Sequence, residues 1–160
     1  MKGFSSVIVS VVALWIGAVL QQAIAPRLSV FGAQPDFLLV VLSLLGMYAS
    51  RIGGGLIGFL AGLFAGAITG ANMSQFIFSR TITGFCVAWA RSFGLDANAF
   101  SAAVNTVIVT ICAQFILMFF APPPGIMSFV GATIASAMVN GVLAVPVHAL
   151  LRRILGPQTA

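Results

Sequence analysis

The sequence predicts an all-α integral membrane protein with about six transmembrane helices, and three observations carry that expectation. Of 160 residues, 61% are hydrophobic and 6% charged, against about 25% charged in an ordinary soluble domain; mean hydropathy is +1.16. The apolar residues fall into runs near the roughly 20 residues that a membrane-spanning helix needs, parted by short polar or Pro/Gly breaks. Within the stretch GGGLIGFLAGLFAGAITG at 53–70, Gly54, Gly58, Gly62, Gly66 and Gly70 recur at every fourth position. In lipid, helices gain little by hiding leucine from tails that are equally apolar, and associate instead through close backbone contact that small residues permit.

The expected helices cover 4–25, 35–50, 52–71, 74–91, 99–121 and 126–151, one polytopic domain over 1–160 with loops of a few residues. The first resembles a signal peptide in its Lys2, its apolar run and its small-residue Ala23-Ile24-Ala25 end, but Pro26 disfavours cleavage there, so it is expected to remain as a span. The second opens at Gln34-Pro35-Asp36, with Pro at the first helical position and an acid complementing the positive end of the helix dipole. Between Pro35 and Arg51 it is too short to cross about 30 Å of hydrocarbon at about 1.5 Å per residue, and is expected to be irregular or shallow.

The third carries the glycine ladder. Spacing by four advances about 400° on a straight helix, so the stripe drifts about 40° per glycine and suits a right-handed crossing. Ala61 and Ala65 widen this face, and Ala67 and Ala71 extend it. Packing inside the bundle is the expected use of such a surface; docking of a partner's helix and a sliding or hinge face of a transporter are the alternatives, and the sequence does not rank those two.

The fourth contains Arg80, an ionisable group at a depth where charge is expensive. Asp36 and Arg80 both fall toward the external side on the topology given below, so pairing is the expectation, with snorkelling of Arg80 the alternative. Pro122, Pro123, Pro124 and Gly125 separate the fifth helix from the sixth, and Pro146 is expected to kink the sixth. Asn72, Gln75, Asn105, Gln114 and Asn140 are amides in or near spans, each able to bond across helices for about 0.6 kcal/mol.

Charge gives the orientation. Lys2, Arg51, Arg91, Arg152 and Arg153 gather on one side and Arg27 lies alone on the other; enrichment of cytoplasmic loops in Lys and Arg then places both termini in the cytoplasm. The pI of about 10.8 is explained by that topology and does not call for nucleic acid as a partner. Cys86 and Cys112 have no metal or redox spacing and are expected as buried apolar side chains. His148 stands alone, as an interior or interfacial histidine does. With two acids in the chain and no nucleophile, paired-carboxylate, phosphate-loop or metal pattern, neither an enzyme nor a cofactor or metal site is expected.

The order of short motifs resembles a family. Gln21 and Pro26, Gln34-Pro35-Asp36-Phe37-Leu38-Leu39, Gly58-Phe59-Leu60-Ala61-Gly62-Leu63, Thr69-Gly70, Asn140-Gly141-Val142-Leu143 with Pro146, and Arg152-Arg153 together look like the bacterial rod shape-determining protein MreD, over essentially the whole chain. Two departures stand out: Gly66 occupies the place where the family usually carries an Asp, and Met73-Ser74 replaces a common Leu-Gly. The resemblance implies a fold similar to the substrate-binding subunits of energy-coupling-factor vitamin transporters. It also implies a scaffold or adaptor of the cell-elongation machinery in the bacterial cytoplasmic (inner) membrane, supporting lateral peptidoglycan synthesis and rod shape. Its implied partners are an MreC-like membrane protein, MreB, RodA and the transpeptidase that works with RodA. The alternative is a solute-binding subunit of a vitamin transporter. The residues that matter under either reading are the ladder, the intramembrane polar groups Asp36, Arg80 and Asn140, and the basic residues Arg51, Arg91, Arg152 and Arg153, which face cytoplasmic partners or anionic lipid.

Overall fold

The computed structural model describes residues 3–29, 33–70, 72–90 and 98–155; Lys2, Ala71 and Arg91, singled out above, lie outside the described residues. Among the described residues there are six α-helices: α1 (Gly3–Ala23), α2 (Phe37–Gly46), α3 (Arg51–Thr69), α4 (Met73–Ala90), α5 (Ala99–Phe120) and α6 (Ile126–Leu155), with a 3-10 turn at Ala25–Arg27. Three segments are long and apolar enough to cross a membrane: Arg51–Thr69, Ala99–Phe120 and Ile126–Ile154.

Local chemistry explains most boundaries. The Ser50 hydroxyl accepts from the Gly53 amide at 3.2 Å and caps α3, while the Asn98 side chain accepts from the Ser101 amide at 2.7 Å and caps α5. Helix α3 stops at Gly70, whose φ of 62° is the left-handed conformation that glycine adopts without steric penalty. Helix α5 gives out ahead of the proline run, and α6 continues through Pro146 to Leu155, with Arg152 and Arg153 in its last turn against the negative end of the dipole.

Helix α2 differs from the expected 35–50. It has 10 residues, about 15 Å of helix, and every one of them is buried. Pro35 lies outside it, because Asp36 takes the capping position and the first helical residue is Phe37. At the other end the Met47 and Tyr48 amides bond three residues back, to Leu44 and Leu45, and the chain turns toward α3. The sequence FLLVVLSLLG is apolar on all sides, as a helix enclosed by protein requires. Helix α2 touches each of the other five helices and is the centre of the bundle, with Leu38, Leu39, Leu42, Leu44 and Leu45 among the fully buried side chains.

Around it, α3 packs along α4 and α5 along α6 as two antiparallel pairs, with α1 against α2 and α3. The Gln75 side chain donates to the Phe120 carbonyl at 3.1 Å, joining the start of α4 to the end of α5. At the opposite end Tyr48 and His148 stack with ring centroids 6.5 Å apart, joining the exit of α2 to the last third of α6. His148 is buried there. Cys86 and Cys112 are exposed on the outer surface, contrary to the burial expected from sequence. A thiol is a small apolar side chain, and a hydrocarbon surrounding suits it as well as a protein interior does.

Candidate functional site

The chain enters α2 through exposed Gln34, buried Pro35 and half-buried Asp36, and the polar groups of this irregular backbone find protein partners. Side chains from two other helices supply them. From α6, the Ser136 hydroxyl donates to the Gln34 carbonyl at 3.3 Å, and Asn140 Oδ1 accepts from the Asp36 amide at 2.8 Å. From α1, Gln21 spans the turn: its Nε2 donates to the Pro35 carbonyl at 3.1 Å and its Oε1 accepts from the Phe37 amide at 2.7 Å. Because one of those backbone groups only accepts and the other only donates, the amide orientation of Gln21 is fixed. The proline itself brings no N–H to satisfy.

Asp36 uses both carboxylate oxygens. Its Oδ1 accepts from the Leu39 amide at 2.9 Å, capping α2, and its Oδ2 accepts from Arg80 Nη2 on α4. Arg80 is buried, and its Nε has no partner. The carboxylate therefore sits between the positive end of a helix dipole and a guanidinium.

The network continues inward from Asn140, whose Nδ2 donates to Thr110 Oγ1 at 3.1 Å. Thr110 and Thr106 return their hydroxyls to the carbonyls one turn back in α5, and the Ser43 and Thr106 hydroxyls lie 2.6 Å apart between α2 and α5. Asn105 Nδ2 donates to the Ser43 carbonyl at 3.3 Å. Asn140 and Thr110 lie about halfway along α6 and α5. Helix α2 thus begins at mid-depth of the bundle and runs to one end, and the ion pair sits at its origin.

The glycine ladder supports the same place from outside. A Cβ added at Gly54 would collide with the Gly84 carbonyl, one at Gly58 with the Arg80 carbonyl, one at Gly62 would lie 2.6 Å from Ile77 Cα, and one at Gly66 would lie 2.9 Å from Met73 Cγ. These four glycines let the backbones of α3 and α4 touch, and Gly58 does so at the residue that carries the guanidinium. Ala61 and Ala65 are buried beside them, whereas Ala67 is exposed. Gly70 shares the spacing but meets nothing within 4 Å; it ends the helix. At Gly66 the atoms that an added Cβ would meet belong to Met73.

Arg51, Arg152 and Arg153 are exposed at the end of the bundle where α2 finishes, and Arg27 is exposed at the other. Among the described residues no three His, Cys, Asp or Glu side chains come together. Sequence reasoning singled out Asp36, Arg80 and Asn140 but missed the bridging role of Gln21, the contribution of Ser136, and Gly84. Gly84 stands four residues from both Arg80 and Ala88 on one buried face, a spacing that announces small-residue packing on α4. No family model, no curated protein and no solved structure matches this chain.

Proposed function

We propose that the chain is a six-span, non-enzymatic scaffold of the bacterial cell-elongation machinery, with both termini cytoplasmic, as its resemblance to MreD implies. The observation that supports this reading is the convergence of Arg80, Gln21 and Asn140 on the turn of Pro35, Asp36 and Phe37. Polar groups that converge on one turn fix the relative positions of α1, α2, α4 and α6, which is the property a scaffold needs. The ladder is spent on the α3–α4 contact, so docking to an MreC-like protein, RodA or its transpeptidase falls to other faces, such as the exposed Ile8, Trp15 and Val19 side of α1. Arg51, Arg152 and Arg153 face MreB or anionic lipid at the cytoplasmic end on this topology. Depletion in the rod-shaped cell that encodes the protein is expected to produce spheres with dispersed wall synthesis. Cells that keep rod shape and their wall-synthesis pattern would refute the assignment.

One observation favours a second reading, a solute-binding transporter subunit. A helix that begins at mid-depth and aims its positive end at the bundle interior is how discontinuous helices of transporters hold anionic substrates. Here Asp36 fills that position itself. Protein purified from cells with a stoichiometric vitamin-sized ligand would establish this reading over the first.

A further inference from the structure

At the end of the bundle that carries Arg51 and Arg152, α1 and α3 part to leave a cavity of about 690 Å³ that opens sideways. Its floor is Leu45 and Tyr48, both buried, and its walls include Val11, Leu56, Ile57 and Leu60. Leu56 is 61% exposed, so the cavity communicates with whatever surrounds the bundle. Two exposed arginines stand at this same end of the bundle. Arg51 directly follows the lining residue Ser50. Arg152 lies one turn beyond His148, which stacks on Tyr48.

We infer that this cavity binds one anionic phospholipid, an acyl chain lying between α1 and α3 and the phosphate held by Arg51 and Arg152. Three features select that occupant. The walls are apolar along two turns of α3, which suits a chain of methylenes. The volume falls within the range of small-molecule cavities, about 300 to 1,000 Å³. Two exposed guanidiniums at this end of the bundle complement a phosphate and repel a cationic headgroup. The inference rests on the membrane-spanning reading and is independent of the scaffold assignment.

The test is native mass spectrometry of the full chain purified in detergent, after incubation with phosphatidylglycerol or phosphatidylcholine of identical acyl chains. One retained phosphatidylglycerol per chain is expected, with retention of phosphatidylcholine lower by roughly tenfold or more, as two surface arginines near a phosphate would give. The Arg51→Gln/Arg152→Gln double variant should lose that preference. Leu56→Trp, a change at an exposed position that crowds the cavity, should lose retention while keeping wild-type melting and elution. Equal retention of the two lipids, or preference unchanged in the arginine double variant, would overturn the inference. So would full retention in Leu56→Trp, which would place the lipid on the arginines alone, and so would a second copy of the chain held at this face. Failure of the wild-type chain to enter micelles or vesicles would instead remove the membrane-spanning reading beneath it.

Discussion

Arg80 of α4 donates to the same carboxylate, that of Asp36, which caps the first turn of α2. One short side chain thereby caps the start of a helix and ties it to a neighbour. If the guanidinium is lost, the carboxylate keeps its cap but loses its counter-charge. Arg80→Met is accordingly expected to destabilise the folded state by about 3–5 kcal/mol, and Arg80→Lys by less, since the charge is retained and the planar fork is not. Thermal unfolding in detergent reads both, and equal effects of the two would show that charge is not what Arg80 contributes.

The ladder makes a prediction in which the sign decides. In an open helix position Gly→Ala stabilises by about 0.5–1 kcal/mol through backbone entropy. At Gly131 in α6 nothing lies within 4 Å of an added Cβ, so Gly131→Ala should raise the melting temperature. At Gly58 the Arg80 carbonyl occupies that space, so Gly58→Ala should lower it, by the roughly 1–3 kcal/mol of an overpacked contact less the entropic gain. A rise at both positions would place the ladder on the outer surface.

Gln21 satisfies two backbone groups with two ends of one amide. Gln21→Met removes both the donor to the Pro35 carbonyl and the acceptor for the Phe37 amide and should cost about 1–3 kcal/mol, with faster hydrogen exchange at the Phe37 amide than in the parent. Unaltered exchange at Phe37 would mean that the turn into α2 is held without Gln21.

Core deletion should separate α2 from a peripheral helix. Leu42 is fully buried in the helix that touches all five others, whereas Ile108 on α5 is 54% exposed. Leu42→Ala is expected to cost about 2–5 kcal/mol and Ile108→Ala well under half of that. Comparable losses in unfolding measurements would contradict the central position of α2.

The ends of the long helices were legible because they are written locally. Apolar runs and the proline run mark α3 and α5 to within a residue or two, whereas the caps Ser50 and Asn98 appear only in the structure. The link between Asp36 and Arg80 was legible as an expectation because two opposite charges in an apolar chain have few other partners. The length of α2 was not, since a 10-residue apolar helix is stable only when other helices enclose it, and that enclosure belongs to the tertiary structure. Nor was the choice of α4 as the ladder's partner, because a stripe of small residues looks the same whichever helix it packs against. Gly70 kept the spacing without sharing the role, and only its φ reveals this. The exposed Cys86 and Cys112 were misjudged because the burial preference of cysteine is learned from proteins in water, whereas in hydrocarbon the outer face is equally apolar.

The central claim is that the Asp36–Arg80 pair fixes the origin of α2 inside the bundle. A double-mutant cycle tests it most directly: the wild type, Asp36→Asn, Arg80→Met and the double variant, each unfolded in the same detergent. The account predicts that the double variant loses less stability than the two single losses added together, by about 1 kcal/mol or more, because each single change strands a buried partner that the double change removes. Strict additivity would show that the two residues act independently and would contradict it.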